Sequence, residues 1–126
     1  MERNTKQRGA IIKVLKEAEG PLTPQEIQGL AEAQSPGLGI ATVYRLLKTM
    51  QADESVLLVN IPGTAPRYED AQRPHHHHFH CRICEKAFEL EHCLAEVDTL
   101  APKNFKVESH EIVLYGSCDK CVAKGK

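Results

Sequence analysis

Residues 74–84 read Pro-His-His-His-His-Phe-His-Cys-Arg-Ile-Cys, and a second cysteine pair follows much later as Cys118-Asp119-Lys120-Cys121. Two Cys-x-x-Cys pairs with 33 residues between them supply four thiolates, which is the ligand set of a closed, tetrahedral structural zinc site. The cysteines therefore predict a structural Zn2+ ion that holds the C-terminal half of the chain together. Its predicted ligands are Cys81, Cys84, Cys118 and Cys121.

The histidine run before the first cysteine pair predicts further metal binding. If residues 73–81 form a strand, side-chain alternation sends His75 and His77 to one face. His76, His78 and His80 then lie on the opposite face. One strand can thus supply ligands to two further metal sites, whereas a loop would leave the same histidines exposed to water.

Length and composition narrow the possible architectures. A chain of 126 residues suffices for one ordinary domain or two small ones, and small lobes often depend on a metal or on oligomerisation for stability. Hydrophobic residues make up 41% of the chain and tryptophan is absent, so any core is aliphatic and modest. The formal charge of -1 argues neither for nor against a nucleic-acid partner, although the N-terminal end is locally basic.

No apolar run approaches membrane-spanning length, and the charged N-terminal segment does not resemble a signal peptide. We therefore expect a cytoplasmic location, where paired cysteines are better interpreted as metal ligands than as disulfides. The fifth cysteine, Cys93, lies outside both pairs. It is either a small buried hydrophobic residue or an accessory ligand or redox thiol.

The first half of the chain, residues 1–72, has the pattern of a winged helix-turn-helix DNA-binding domain. Helices are predicted over residues 5–19, after the capping box Thr23-Pro24-Gln25-Glu26, and from Ile40 onward. Two short strands, residues 56–59 and 67–69, would form the wing. A small helical bundle without a ligand fits the same pattern.

The exposed face of the third predicted helix favours DNA binding. Thr42, Tyr44 and Arg45 occupy its first turns, and this part of a recognition helix approaches base edges in the major groove. Lys48, one turn later, suits a phosphate.

The second half, residues 73–126, is predicted to be a small α+β lobe. After the histidine strand come a strand over residues 86–90, an amphipathic helix over 93–100 and a long strand over 105–115. An uncovered strand edge on a lobe this small is a natural dimerisation surface, so the same strand of a second subunit is the expected partner. Glu96 and His110 are predicted to lie within reach of the histidine strand.

Together these residues resemble the Fur family of metal-dependent transcriptional repressors, which includes the iron regulator Fur, the zinc regulator Zur and the peroxide sensor PerR. The resemblance covers nearly the whole chain. It rests on residues 7–8, 39–45, 67–69, 75–84, 110–116 and 118–121. It implies a homodimer whose N-terminal winged helix binds palindromic, A/T-rich DNA operators and whose C-terminal domain mediates dimerisation.

The resemblance also implies which residues bind metal and DNA. The four cysteines correspond to the family's structural zinc site. A site within the dimerisation domain corresponds to His75, His77, Glu96 and His110. An interdomain regulatory site corresponds to Glu69, His76 and His78, with Glu89 matching a ligand in some members. Tyr44 and Arg45 match base-contacting positions, and Arg8 matches a basic residue that reaches the minor groove.

Two departures from the family pattern bear on the regulatory metal. Many iron- and peroxide-type members carry a histidine at the start of helix two, where this chain has Gly20-Pro21-Leu22. The last ligand would then come from Glu89, Asp70 or His80, or else the site would be weaker. Iron-type members commonly carry Asp where this chain has His77, and the extra imidazole suits Zn2+ better than Fe2+ or Mn2+.

We therefore predict a zinc-sensing repressor, with an iron-sensing or a peroxide-sensing regulator as alternatives. Zinc-type members often place a cysteine near Glu69 or Asp70, and this chain has none there. Two other classes stay open, a zinc hydrolase and a zinc-ribbon interaction adaptor. A hydrolase needs an open coordination position beside a general base and a substrate cleft. The helix-turn-helix half has no obvious segment that could form such a cleft. We therefore predict that the protein is not an enzyme.

Overall fold

The computed structural model describes the backbone of residues 2–74, 76–90 and 95–125, and the side chains of these residues except 2–4 and 95. The chain divides into two compact units, residues 1–73 and 74–126, named here the N-terminal and the C-terminal unit. Their combination of helices and sheets confirms the predicted α+β class. No helix in the described ranges has both the length and the apolar character needed to cross a membrane.

Three helices and a two-stranded antiparallel sheet build the N-terminal unit. The helices are α1 (Glu2–Glu17), α2 (Pro24–Ala31) and α3 (Ile40–Ala52). The strands are β1 (Val56–Val59) and β2 (Arg67–Asp70). This is the predicted order of a winged helix-turn-helix, although α1 begins and ends earlier than the predicted residues 5–19.

The start of α2 has the predicted capping box and is tied to the wing. The N–H of Glu26 donates to Thr23 Oγ1 at 3.2 Å, and the N–H of Thr23 donates to Glu26 Oε1 at 2.9 Å. The buried Arg67 donates from Nη1 to the same carboxylate oxygen at 3.0 Å and to the Pro21 carbonyl at 3.3 Å. One carboxylate therefore joins the first turn of α2 to strand β2.

An aliphatic core holds the helices together. In α3, buried apolar residues recur at three- and four-residue spacing, so one face of that helix points into the core. The buried side chains are Ala10, Ile11, Val14, Leu15, Ile27, Ala31, Leu38, Val43, Leu46, Leu47, Met50 and Val56. The opposite face of α3 is left exposed, and the predicted DNA contacts lie on it.

A three-stranded sheet forms the centre of the C-terminal unit. Strand β3 (His77–Cys81) pairs antiparallel with β4 (Ala87–Leu90) and parallel with β5 (Val113–Gly116). A 3-10 helix (Ala95–Leu100) precedes β5, and the short helix α4 (Asp119–Ala123) follows it. The central strand therefore carries His77, His78 and His80 and ends on the first cysteine.

Two elements predicted for this unit are wrong. Residues 105–112 form no strand, and β5 has 4 residues, not the long strand predicted over 105–115. Within this segment, β3 pairs with residues 113–115 alone, and without a neighbouring strand a β-branched sequence has no ladder to join. His110 thus lies in irregular backbone. The helix predicted over 93–100 is the 3-10 helix from Ala95, while Cys93 lies outside the described residues.

Candidate metal centres and nucleic-acid interface

The four predicted zinc ligands come together in the C-terminal unit. Cys81 and Cys121 have their sulfurs 3.6 Å apart, and Cys84 and Cys118 have theirs 3.8 Å apart. All four sulfurs lie within 4.8 Å of one another. A tetrahedral ion with zinc–sulfur bonds of about 2.3 Å separates its sulfurs by about 3.8 Å, whereas a disulfide would bring a pair to about 2.05 Å. The geometry therefore fits a four-sulfur zinc site.

Two tight turns produce this arrangement. Cys81 ends β3, and the N–H of Glu85 donates to the Cys81 carbonyl at 2.9 Å, which closes the first Cys-x-x-Cys turn. Glu85 takes a left-handed conformation there, with φ of 62°. Cys118 stands at the N-cap of α4, and Cys121 follows within the helix. Each pair thus directs both of its sulfurs to the same side.

Backbone amides and burial act on the sulfurs in opposite directions. The N–H of Cys84 lies 3.5 Å from Cys81 Sγ and the N–H of Cys118 lies 3.3 Å from it. These donors lower the pKa of Cys81, because they stabilise the thiolate. Burial raises the pKa of Cys121. A divalent cation among the four sulfurs would favour the ionised form of each, since thiolates are the ligands of zinc.

A second group of possible ligands lies on the other face of the same sheet. The rings of His76 and His78 form a T-shaped contact, with their centroids 4.8 Å apart and their planes at 80°. Nδ1 of His76 lies 2.6 Å from the Pro74 carbonyl and 3.5 Å from Glu89 Oε1. These two acceptors favour a proton on Nδ1, so Nε2 of the neutral ring carries the lone pair that a metal would bind.

Three of the four residues predicted for the regulatory site are therefore neighbours within the C-terminal unit. The fourth, Glu69, lies in β2 of the N-terminal unit and is buried. His80, one of the substitutes considered for the last ligand, is buried, and its Nε2 has no hydrogen-bond partner among the described residues.

The predicted site of the dimerisation domain brings together two of its four residues. The rings of His77 and His110 lie with centroids 4.9 Å apart. Nδ1 of His110 is 3.0 Å from Oδ1 of Asp98, a residue that the sequence reasoning missed. Glu96 is exposed on the same 3-10 helix. His75 lies outside the described residues.

The outer face of α3 displays the predicted DNA contacts. Tyr44 is 48% exposed, Arg45 and Lys48 are exposed, and Thr42 is half-buried.

The model of a protein family described as "Ferric uptake regulator family" matches residues 2–115 of this chain.

The chain belongs to this family.

Relatives and solved structures agree with the assignment to the ferric uptake regulator family. The chain is 33% identical over 127 residues to the ferric uptake regulation protein of Campylobacter upsaliensis, covering 97% of this chain and 81% of the relative. It is 30% identical to the peroxide operon regulator of Bacillus subtilis, covering 97% of this chain and 86% of the relative.

Two solved structures give the same result for the fold. The Helicobacter pylori ferric uptake regulator, described as having three functional metal-binding sites, matches with a TM-score of 0.72 and 25% identity, covering 93% of this chain and 80% of that one. A zinc-bound manganese uptake regulator matches with a TM-score of 0.77 and 23% identity, covering 93% of both chains, and at that identity it bears on the fold alone.

Membership in the ferric uptake regulator family confirms the resemblance found in the sequence. The protein is a metal-responsive, DNA-binding transcriptional regulator, and regulators of this family bind DNA as dimers. The family assignment thus favours a regulator over the hydrolase considered above.

Arg8, a predicted DNA contact of this ferric uptake regulator family member, forms hydrogen bonds within the chain. Arg8 Nη2 donates to Asp53 Oδ2 at 2.7 Å and to Ser55 Oγ at 2.8 Å. Hydrogen bonds from Ser55 and from Arg8 lower the pKa of Asp53. The guanidinium thereby ties α1 to the residues that follow α3.

Proposed function

We propose that this chain is a zinc-responsive repressor that acts in the cytoplasm and binds a palindromic, A/T-rich DNA operator as a homodimer. The observation that supports it most is the pair of imidazoles, His76 and His78, with ring centroids 4.8 Å apart and with Glu89 beside them. Two imidazole nitrogens in the donor set suit Zn2+ better than ions that prefer a set made of oxygen ligands alone.

We assign the effector ion to Glu69, His76, His78 and Glu89, separately from the structural zinc of the cysteines. Glu69 belongs to the DNA-binding unit and the other three belong to the C-terminal unit. An ion that binds one arrangement of the protein more tightly than another shifts the population towards that arrangement. Coupling free energies of about 1–3 kcal/mol are typical of such regulation. A further site is assigned to His75, His77, Glu96 and His110.

The operator contacts are assigned to the exposed face of α3. Tyr44 and Arg45 would contact base edges, since Arg can donate two hydrogen bonds to guanine. Thr42 and Lys48 would contact the same groove and its phosphates. Arg8 would reach the minor groove after exchanging Asp53 for DNA.

An iron-responsive regulator is the second candidate, and one observation favours it. Relatives that are 33% and 35% identical over more than nine-tenths of this chain carry the name ferric uptake regulation protein. Imidazole and carboxylate ligands also suit Fe2+. The two candidates share the site and differ in the ion that activates it.

A titration of DNA binding separates the two candidates. Anaerobic protein that retains zinc at its cysteines is supplied with Zn2+, Fe2+ or Mn2+ at buffered free concentrations. Fluorescence anisotropy then measures its affinity for a duplex selected from a random-sequence library with each metal. We expect Zn2+ to activate binding at the lowest free concentration, while activation by Fe2+ at a lower concentration would favour the iron regulator.

A double variant tests the ligand assignment. Glu69→Ala with His76→Ala should retain cysteine-bound zinc and lose metal-dependent DNA binding, because it removes two of the four proposed ligands. Glu108→Ala, which removes an exposed carboxylate elsewhere, is the control and should respond to metal normally. Unchanged metal dependence in the double variant would overturn the assignment.

A further inference from the structure

A hydrogen bond links the two helices of the helix-turn-helix on their outer face. Gln25, the second residue of α2, donates from Nε2 to the hydroxyl oxygen of Tyr44 in α3 at 3.0 Å. Both side chains are exposed, so burial does not explain why they meet. Tyr44 is also the side chain to which we assign a base contact.

The direction of this bond fixes what the tyrosine can offer to a ligand. An amide N–H only donates, so the Tyr44 oxygen is the acceptor and its own proton must point away from Gln25. DNA presents many acceptors to a protein, since phosphate oxygens and most purine and thymine groups in the major groove accept hydrogen bonds. A phenol held as an acceptor by the protein is thus a donor towards DNA.

The polar side chains next to Gln25 on α2 have other hydrogen-bond partners, which leaves Gln25 to bond the Tyr44 hydroxyl. The neighbouring carboxylate, Glu26, accepts from Thr23 and Arg67 and faces the helix start. Gln28, one turn further along α2, donates from Nε2 to the Leu38 carbonyl at 3.0 Å. Gln28 thus connects α2 to the turn of the motif, and Gln25 connects α2 to the recognition helix.

We propose that Gln25 is a positioning residue for DNA recognition, which holds the Tyr44 ring in one orientation and directs its hydroxyl proton to an acceptor on the DNA. This inference rests on the proposed function, because it needs Tyr44 to contact DNA. Without Gln25, an exposed tyrosine samples several rotamers, and ordering it on DNA costs conformational entropy.

A double-mutant cycle on the metal-loaded full chain tests the proposal, with the duplex recovered by selection as the probe. Gln25→Ala should weaken binding by about threefold to tenfold, the usual range for one hydrogen bond. In the Tyr44→Phe background the same change should have an effect below about twofold, since no hydroxyl is left to position. The thermal midpoint of Gln25→Ala should match that of the wild type.

Gln25→Glu sharpens the test because it keeps the side-chain length and reverses the bond. The carboxylate would accept the hydroxyl proton and turn lone pairs towards DNA, so the loss should exceed that of Gln25→Ala. The part of this loss that comes from charge repulsion persists in the Tyr44→Phe background and can be subtracted. Gln51→Ala, which removes an exposed glutamine near the end of α3, is the matched control and should stay within about twofold.

The outcomes separate this proposal from the proposed function. Equal losses for Gln25→Ala with and without the Tyr44 hydroxyl, or no loss in either background, overturn the role of Gln25 while DNA recognition stands. A wild-type protein that binds no selected duplex, or an Arg45→Ala variant that binds as well as the wild type, overturns the proposed function. The role of Gln25 would then fall with it.

Discussion

The two units of the molecule are stabilised by different chemistry. The buried cluster of the N-terminal unit consists of twelve aliphatic side chains from α1, α2, α3, β1 and the turn before α3. The buried cluster described in the C-terminal unit consists of Cys81, Cys118 and Cys121, with Phe79 and Phe88 packed against it. The first unit therefore has a core that the chain itself supplies, and the second has one whose centre is a set of metal ligands.

The surface of the C-terminal unit supports the same contrast. Leu100 is 83% exposed and Phe105 is 70% exposed, so large apolar side chains that could enlarge a core stay outside it. A unit of this size without such a core commonly depends on a metal or on association. Metal removal should therefore destabilise the C-terminal unit, whereas mutation of the aliphatic core should destabilise the N-terminal unit.

Loss of the zinc ligands should have the largest effect. Cys81→Ser, or treatment with a strong chelator, removes a binding free energy that in zinc-finger peptides is about 10–16 kcal/mol. We expect the C-terminal sheet to unfold while α1, α2 and α3 stay folded. Hydrogen exchange measured by mass spectrometry should show lost protection in residues 77–90 and 113–123 and retained protection in residues 5–52.

Cys93→Ser is the matched control, because this cysteine lies outside both Cys-x-x-Cys pairs. Zinc content and protection should then be unchanged. If the C-terminal sheet kept its protection after complete zinc loss, its apolar contacts would suffice and the contrast between the units would be wrong.

A cavity in the aliphatic core should have the next largest effect, in the opposite unit. Leu47→Ala truncates a fully buried side chain of α3, and such truncations cost about 2–5 kcal/mol. Urea unfolding followed by circular dichroism should detect this loss. Exchange protection of the zinc-loaded C-terminal sheet should stay at its wild-type level.

Leu30→Ala removes the same number of carbons from α2, where Leu30 is 55% exposed. Its cost should be within about 0.5 kcal/mol. Comparable losses for Leu30→Ala and Leu47→Ala would contradict the idea that burial in this core stabilises the N-terminal unit.

The smallest effect should come from the backbone at the end of α3. Glu54 has a left-handed φ of 66°, and the N–H of Ser55 donates to the Met50 carbonyl at 2.8 Å. This is the helix-ending motif in which glycine is preferred. Glu54→Gly should raise the unfolding free energy of the N-terminal unit by about 1 kcal/mol, since an L-residue is strained there.

The same substitution at another helix end gives the opposite sign. Glu32 follows α2 with φ of -60°, a conformation in which glycine adds entropy to the unfolded chain, and glycine would also remove the carboxylate that accepts from Gln28 Nε2 at 2.8 Å. Glu32→Gly should therefore lower the unfolding free energy. If both variants changed it in the same direction, the backbone conformation at Glu54 would not explain the gain.

Much of the fold follows from signals that act over a few residues. Thr23 and Glu26 are three positions apart, so their capping box can be read from the chain and the structure has it. The apolar spacing of residues 43–50 identifies the buried face of α3 in the same way. The strand predicted over residues 105–115 failed because β-branched residues favour extended backbone, while a ladder also needs a neighbour at the right register.

The same distinction between local signals and long-range contacts applies to the candidate sites. Cys-x-x-Cys spacing is a local requirement of a tetrahedral ion, so both pairs were evident from the chain. The contact of Asp98 with His110 was not, because two acidic residues on one short helix look alike until the helix is placed. The clustering of the regulatory ligands and their metal preference stay predictions.

The sequence by itself determined the family, the order of helices and strands in the N-terminal unit, and the four sulfurs that meet in the C-terminal unit, because each is signalled by residues a few positions apart. Only the tertiary structure decided which distant polar groups pair. Gln25 reaches Tyr44, Arg8 reaches Asp53, and Arg67 reaches Glu26 across separations of 19, 45 and 41 residues. Such pairs form where packing of the apolar faces happens to bring donors and acceptors within reach, and no spacing rule encodes them.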